Sequence, residues 1–439
     1  MSWDIAANWL RNRSKPVATL LGLVSIVSSL LAFGVPLAQA QNLAQTDTCT
    51  MPYESVSPPL PELAGKTYVR MDGTQTTFQG GLYPGGSNQR PPAFEEAGVA
   101  IAATIQPLNA QGEPDPTNGR IGMISIGMSN TGQEFGAFQK LLHNNPDINP
   151  RLITVNGGVG GRTADYWVDP SSDAWQELAR RLDRYQVSQE QVQVVWINLA
   201  LTKGGDFPDK AVQLQTDIGE ILRMLKARFP NLKLAYLSSR ARSYTYWRGL
   251  SPEPVAFETG FAVKWLIEQQ IQGAPELNFD PTKGDVQAPF LSWGPYFWVN
   301  GPEPRADGFS WGPADLTGDC THPSLDGRAK IGELLLQFFM TDSTTRSWFT
   351  YGGQSPSVPA TALPPTVSPS STPEPTAQGS SPTVSSMPAS TSTQELAPSP
   401  TPTPSTPGSS TAVPITFGLL GAVVIVAVFV VLRWRKNAS

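Results

Sequence analysis

Apolar residues along the middle of the chain fall into short runs and helical stripes. Residues 120–127 (RIGMISIG) form an apolar run closed by glycine, the pattern of a strand buried on both faces. Residues 152–155, 192–199, 232–237 and 289–291 repeat that pattern. Between these runs the spacing changes to three and four residues. It predicts helices over 135–143, 174–185, 212–229, 257–271 and 331–339. The helix over 212–229 has the strongest stripe: Leu214, Ile218, Ile221, Leu222 and Leu225 share one face, and Pro230 stops it. Strands alternating with helices predict an α/β class, with a mostly parallel five-stranded sheet covered on both faces. Such sheets bind ligands beyond the carboxyl ends of their strands. The residues just after each strand are therefore the informative ones.

The two ends carry longer apolar stretches. Arg11, Arg13 and Lys15 precede an apolar run over 17–31, and Ala38-Gln39-Ala40 follows it. This reads as an export signal over 1–40, with an uncleaved anchor as the other reading. Residues 413–432 carry no charge and are followed at once by Arg433, Arg435 and Lys436. About 20 helical residues cover the roughly 30 Å hydrocarbon core. A basic flank stays cytoplasmic. The expectation is a single-pass cell-membrane protein, with 433–439 inside, its bulk outside and the lipid bilayer as a partner. Residues 354–412 are dominated by Pro, Ser and Thr and read as a stalk, because such a composition buries too little apolar surface to pack. Residues 41–119 read as an arm leading into one domain over 120–353.

Composition narrows the chemistry. Of 439 residues only 15% are charged, and the net charge is −5. That balance speaks against a nucleic-acid partner. Two cysteines and two histidines are too few for a four-ligand Cys/His zinc centre with anything to spare, and they support neither haem nor iron–sulfur ligation. No cofactor is implied. Asp280, Asp285, Asp307 and Asp315 read as solvated loop carboxylates rather than cation ligands. Any histidine base is His143 or His322; His143 reads as a helix-surface residue.

Four segments stand at or near strand ends, or before the last helix. They are Ser129, the glycine loop Asn156-Gly-Gly-Val-Gly-Gly161, Asn198, and Asp319-Cys-Thr-His322-Pro323. A serine hydroxyl is a weak nucleophile until a base takes its proton. His322 supplies such a base, and Asp319 a carboxylate to hold the other ring nitrogen. The N–H groups of Ser129 and Gly161 and the Asn198 amide are candidate oxyanion donors, with a strand-end turn as the other reading of Asn198. The glycine loop lacks the third glycine of a dinucleotide fingerprint, no Gly-Lys-Ser/Thr loop occurs, and Thr131 stands where a Gly-x-Ser-x-Gly elbow needs glycine.

On these residues the chain resembles the SGNH (GDSL-like) hydrolases. Ser129, Gly161, Asn198 and His322 are similar to that family's four signature positions. Asn156–Thr163 resembles its second block, and Asp319-Cys-Thr-His322-Pro-Ser its last. Two blocks depart: Gly-Met-Ser-Asn stands for Gly-Asp-Ser, and Trp196-Ile-Asn198-Leu-Ala for Gly-x-Asn-Asp. The resemblance implies a flavodoxin-like α/β/α sandwich and serine esterase chemistry at Ser129, His322 and Asp319. An O-acyl ester, on carbohydrate for preference, is the implied substrate. A binding module on a decayed scaffold is the alternative.

In an oxidising exterior two cysteines invite one disulfide, so Cys49–Cys320 is expected, with two free thiols as the other outcome. Trp293, Tyr296, Trp298 and Trp311 cluster before Asp319. They read either as core or as a substrate wall, and exposure decides between the two.

Overall fold

The protein, seen in a computed structural model, is described at Cys49 and over residues 57–250 and 252–353. The expected export signal, stalk and membrane span lie outside the described residues. No helix among the described residues is long and apolar enough to cross a membrane.

A hairpin of β1 (Thr67–Val69) and β2 (Gln75–Gln79) comes first, followed by α1 (Pro92–Ala102). Then strands and helices alternate. They run β3 (Ile121–Gly127), α2 (Ser129–Leu142), β4 (Leu152–Val155), α3 (Ala164–Trp167) and α4 (Asp173–Tyr185). β5 (Val192–Asn198), α5 (Asp209–Arg228), β6 (Leu234–Leu237), α6 (Pro252–Ile271) and β7 (Phe290–Trp293) follow. α7 (Leu325–Thr341) and α8 (Arg346–Phe349) close the order.

β3 to β7 form one parallel sheet in the order β4-β3-β5-β6-β7. Every residue of β3 and β5 is buried, so helices cover both faces, as the unbroken apolar runs require. α2 packs along α7, and α5 along α6. The predicted stripe of α5 is wholly buried. After β3 the chain turns to β4 on one side, then crosses to β5 on the other. The β3/β5 junction is thus a topological switch point, where α/β sheets open a crevice. Ser129 follows β3 by two residues, and Asn198 ends β5 opposite Gly127.

Two expectations change. Of the expected lead-in over 41–119, the described residues are more than that: Leu60, Leu63, Tyr68, Tyr83 and Phe94 belong to the same core as the sheet. The Tyr68 ring stacks on Phe257 at 4.2 Å and Phe94 on Phe290 at 4.4 Å. The helix expected over 135–143 starts six residues earlier, at Ser129. Its first residues are polar and carry no apolar period. They are helical because Asn130, Thr131 and Glu134 are buried against neighbouring segments.

Candidate active site

The close of β3 and the start of α2 place Ser129. Its backbone is the first helical residue of α2, after an extended Met128. The leading N–H groups of a helix have no acceptor inside it and carry the positive end of the helix dipole. The Thr131 hydroxyl donates to the Asn198 carbonyl at 2.8 Å and fixes this turn to the end of β5. Gly127 is needed there: a Cβ on it would stand 2.5 Å from the Asn198 carbonyl oxygen.

His322 comes from a tight loop just before α7. Within the loop the Thr317 N–H donates to the His322 carbonyl at 2.8 Å, and the Cys320 N–H to the Thr317 carbonyl at 2.9 Å. Cys320 takes the left-handed conformation, with φ 57°. That turn brings Asp319 back under the imidazole. Ser129 Oγ lies 2.7 Å from His322 Nε2, and His322 Nδ1 lies 2.5 Å from Asp319 Oδ2.

Burial acts to raise the Asp319 carboxyl. It is outweighed by the His322 N–H, the His322 ring, the Thr321 N–H and the Thr317 hydroxyl, which hold it well below the usual carboxylate range. An ionised carboxylate only accepts, so the Nδ1 proton faces Asp319, and in the neutral ring the Nε2 lone pair faces the serine hydroxyl. Ser129 and His322 are half-buried and Asp319 is exposed.

Other residues join these parts, and sequence reasoning missed them. The Asn130 amide donates to the Thr321 carbonyl at 2.9 Å, tying the start of α2 to the histidine loop. The Tyr244 N–H and Ser243 hydroxyl donate to the Cys320 carbonyl at 2.8 and 3.0 Å. The only sequence signal for these residues is their position after a strand or beside a motif.

The glycine loop crosses the β3–α2 junction. The Val159 N–H donates to the Gly127 carbonyl at 2.9 Å, and a Cβ on Gly158 would stand 2.3 Å from the Gly132 nitrogen. The Arg181 guanidinium holds the loop by donating to the Asn156 and Gly158 carbonyls. Gly161 ends it, exposed and left-handed at φ 72°.

Asn198 departs from its expected role. Its side chain is 0% exposed, and its amide donates to Glu134 Oε2 at 3.4 Å. Without surface, it offers nothing to a bound ester. Burial pushes the Glu134 carboxyl up to about 7, with the charge of Arg240 acting the other way.

The aromatic cluster is likewise core and not wall. Trp293, Tyr296, Trp298 and Trp311 are all buried. The Trp293 N–H donates to the Leu82 carbonyl at 2.7 Å, and Tyr296 Oη accepts the Leu60 N–H at 3.3 Å, so both hold the N-terminal arm. The Trp311 N–H donates to the Arg242 carbonyl at 2.8 Å. Cys49 and Cys320 are disulfide-bonded, with Cα atoms 5.2 Å apart across 271 residues of sequence. His143 is exposed at the end of α2.

No protein-family model matches the chain, and neither does any curated protein. Among solved structures it is similar to a candidate acylhydrolase from Bacteroides fragilis, at 14% identity, over 57% of this chain and 97% of that one, with a TM-score of 0.28. It is also similar to a Streptococcus pneumonia protein described as a candidate platelet activating factor, at 11% identity, over 56% and 91%, with a TM-score of 0.31. A third is the salicylyl-acyltransferase SsfX3 of a tetracycline biosynthetic pathway, at 16% identity, over 52% and 55%, with a TM-score of 0.26. Likeness at this level carries no argument about activity, which rests on the site's own geometry.

Proposed function

We propose that the protein is a serine ester hydrolase of the SGNH type. One observation carries this reading: the unbroken hydrogen-bond chain from Ser129 Oγ through the His322 ring to Asp319. In the proposed reaction Nε2 takes the hydroxyl proton as Oγ attacks the ester carbonyl. The imidazolium is held by Asp319 and returns the proton to the departing alkoxide. An acyl-Ser129 intermediate remains. Water then attacks it as His322 takes the water's proton, and the tetrahedral intermediate collapses as His322 passes that proton to Ser129 Oγ, releasing the acid and restoring both residues. The N–H groups of Ser129 and Gly161 are the proposed oxyanion donors, and the helix dipole adds to the first.

The finer reading places this domain outside the cell, held by a span over 413–432 and a stalk over 354–412, with the basic tail 433–439 inside. The sequence pattern supports it. An O-acyl group, O-acetyl for preference, on carbohydrate is the proposed substrate.

The test is hydrolysis of 4-nitrophenyl acetate by the purified protein and by Ser129→Ala. The variant is expected to lose at least about 10³-fold in kcat/KM. Equal rates would sink the mechanism. Labelling by a fluorophosphonate is expected at Ser129. Its absence would favour a binding module on the same scaffold, a reading that the burial of Asn198 keeps in view.

A further inference from the structure

The four aromatics that read either as core or as a substrate wall are buried. Tyr246 and Trp247 are 64% and 75% exposed, whereas every other described tryptophan is buried or half-buried. Exposing two adjacent large rings forgoes their burial energy and leaves flat apolar faces open to contact.

Their loop follows β6 and lies against the histidine loop. Ser243 and Tyr244 both bind the Cys320 carbonyl, and Ser243 Oγ lies 3.4 Å from the Thr321 hydroxyl, one residue before His322. On its far side the loop touches the segment after β5, where a Cβ on Gly249 would stand 2.4 Å from the Thr202 carbonyl oxygen. Tyr246 and Trp247 therefore sit on a segment pinned at both ends along the carboxyl edge of the sheet. Ser129 opens from a strand of the same edge.

We infer that Tyr246 and Trp247 form the platform that binds the sugar part of an acylated carbohydrate. A pyranose ring has an apolar C–H face and a rim of hydroxyls. An indole or phenol ring offers the complement, a flat apolar face with a polar edge. An alkyl chain needs enclosure to leave water, and rings this exposed do not enclose one. The inference deepens the hydrolase reading by naming the residues that choose its substrate. Binding itself does not require hydrolysis.

The test therefore uses binding. The full-length Ser129→Ala protein is titrated with O-acetylated xylo-oligosaccharide by calorimetry. The titration is repeated with Trp247→Ala and Trp247→Phe added. Trp247→Ala is expected to weaken Kd about tenfold, and Trp247→Phe to restore most of it. Unchanged Kd with Trp247→Ala overturns the inference, even if Ser129 proves catalytic. In the serine-intact protein, Trp247→Ala is expected to raise KM for the sugar ester more than KM for 4-nitrophenyl acetate. An equal loss in kcat for both substrates would show that the loop only positions His322, and would also overturn it. Loss of all hydrolysis by Ser129-intact protein would refute the hydrolase reading and leave the titration to decide the platform.

Discussion

Asp319 is held by geometry as much as by charge. Its Oδ1 accepts the N–H groups of Thr321 and His322 and the Thr317 hydroxyl, while Oδ2 faces the ring. Asp319→Asn can keep the shape of this loop but presents an amide of the wrong donor pattern to Nδ1. A loss of about 10⁴-fold in kcat is expected, read with 4-nitrophenyl acetate. Because its carboxyl lies below the ordinary value of 3.8, the stability it contributes is complete above that pH and lost as pH falls further. Glu134 has the opposite sign. Its carboxyl is raised from 4.5 to about 7, so its contribution is complete below pH 4.5 and is lost as pH rises toward 7. Glu258, buried against Lys210, is pushed the same way, again chiefly by burial. Glu134→Gln is expected to flatten the fall in urea-unfolding free energy between pH 5 and 7.5, by as much as about 3 kcal/mol. An undiminished fall would refute this account. At this scale Ser129, Asp319 and His322 were legible as a candidate group, since Ser129 follows a strand-like run and Asp319 and His322 share a short segment with an interpretable spacing. The burial of Asn198 was not, and for the four aromatics the sequence left core and wall both open. A side chain's exposure depends on partners such as Leu60, Leu82 and Glu134 that lie far away in the chain.

α2 and α5 show what periodicity can and cannot reveal. In α5 the apolar stripe faces the core along its length, so spacing alone located it. Leu222→Ala is expected to cost about 2–5 kcal/mol in denaturant unfolding with little change in kcat, because it empties a packed site on α5, which supplies no side chain to the Ser129–His322–Asp319 group. In α2 the first turns are polar, and tertiary contacts hold them helical. The glycine loop is one such contact. Gly158→Ala has no room beside Gly132, so the loop or the helix start must shift. A fall in kcat/KM larger than the fall in stability is expected, since Ser129 lies on that turn. A variant with wild-type kcat/KM would show that the approach is not needed.

For the whole molecule, the disulfide joins the least local parts of the chain. Cys320 stands between Asp319 and His322, and Cys49 precedes the entire sheet. Reduction, or Cys49→Ser, removes a cross-link of a kind that contributes about 2–5 kcal/mol. It also frees the loop that orients the imidazole. A lower Tm together with a lower kcat is expected. Loss of Tm alone would mean that hydrogen bonds to Ser243 and Tyr244 suffice to hold the loop. The α/β class and the five strands of the parallel sheet were readable from local pattern, because burial on both faces demands unbroken apolar runs. The cysteine pairing followed from there being two. Strand order, the switch point between β3 and β5, the place of the N-terminal arm in the core, and which aromatic rings face water were settled only by folding. Each depends on contacts between residues tens to hundreds of positions apart, and periodicity is blind to such contacts.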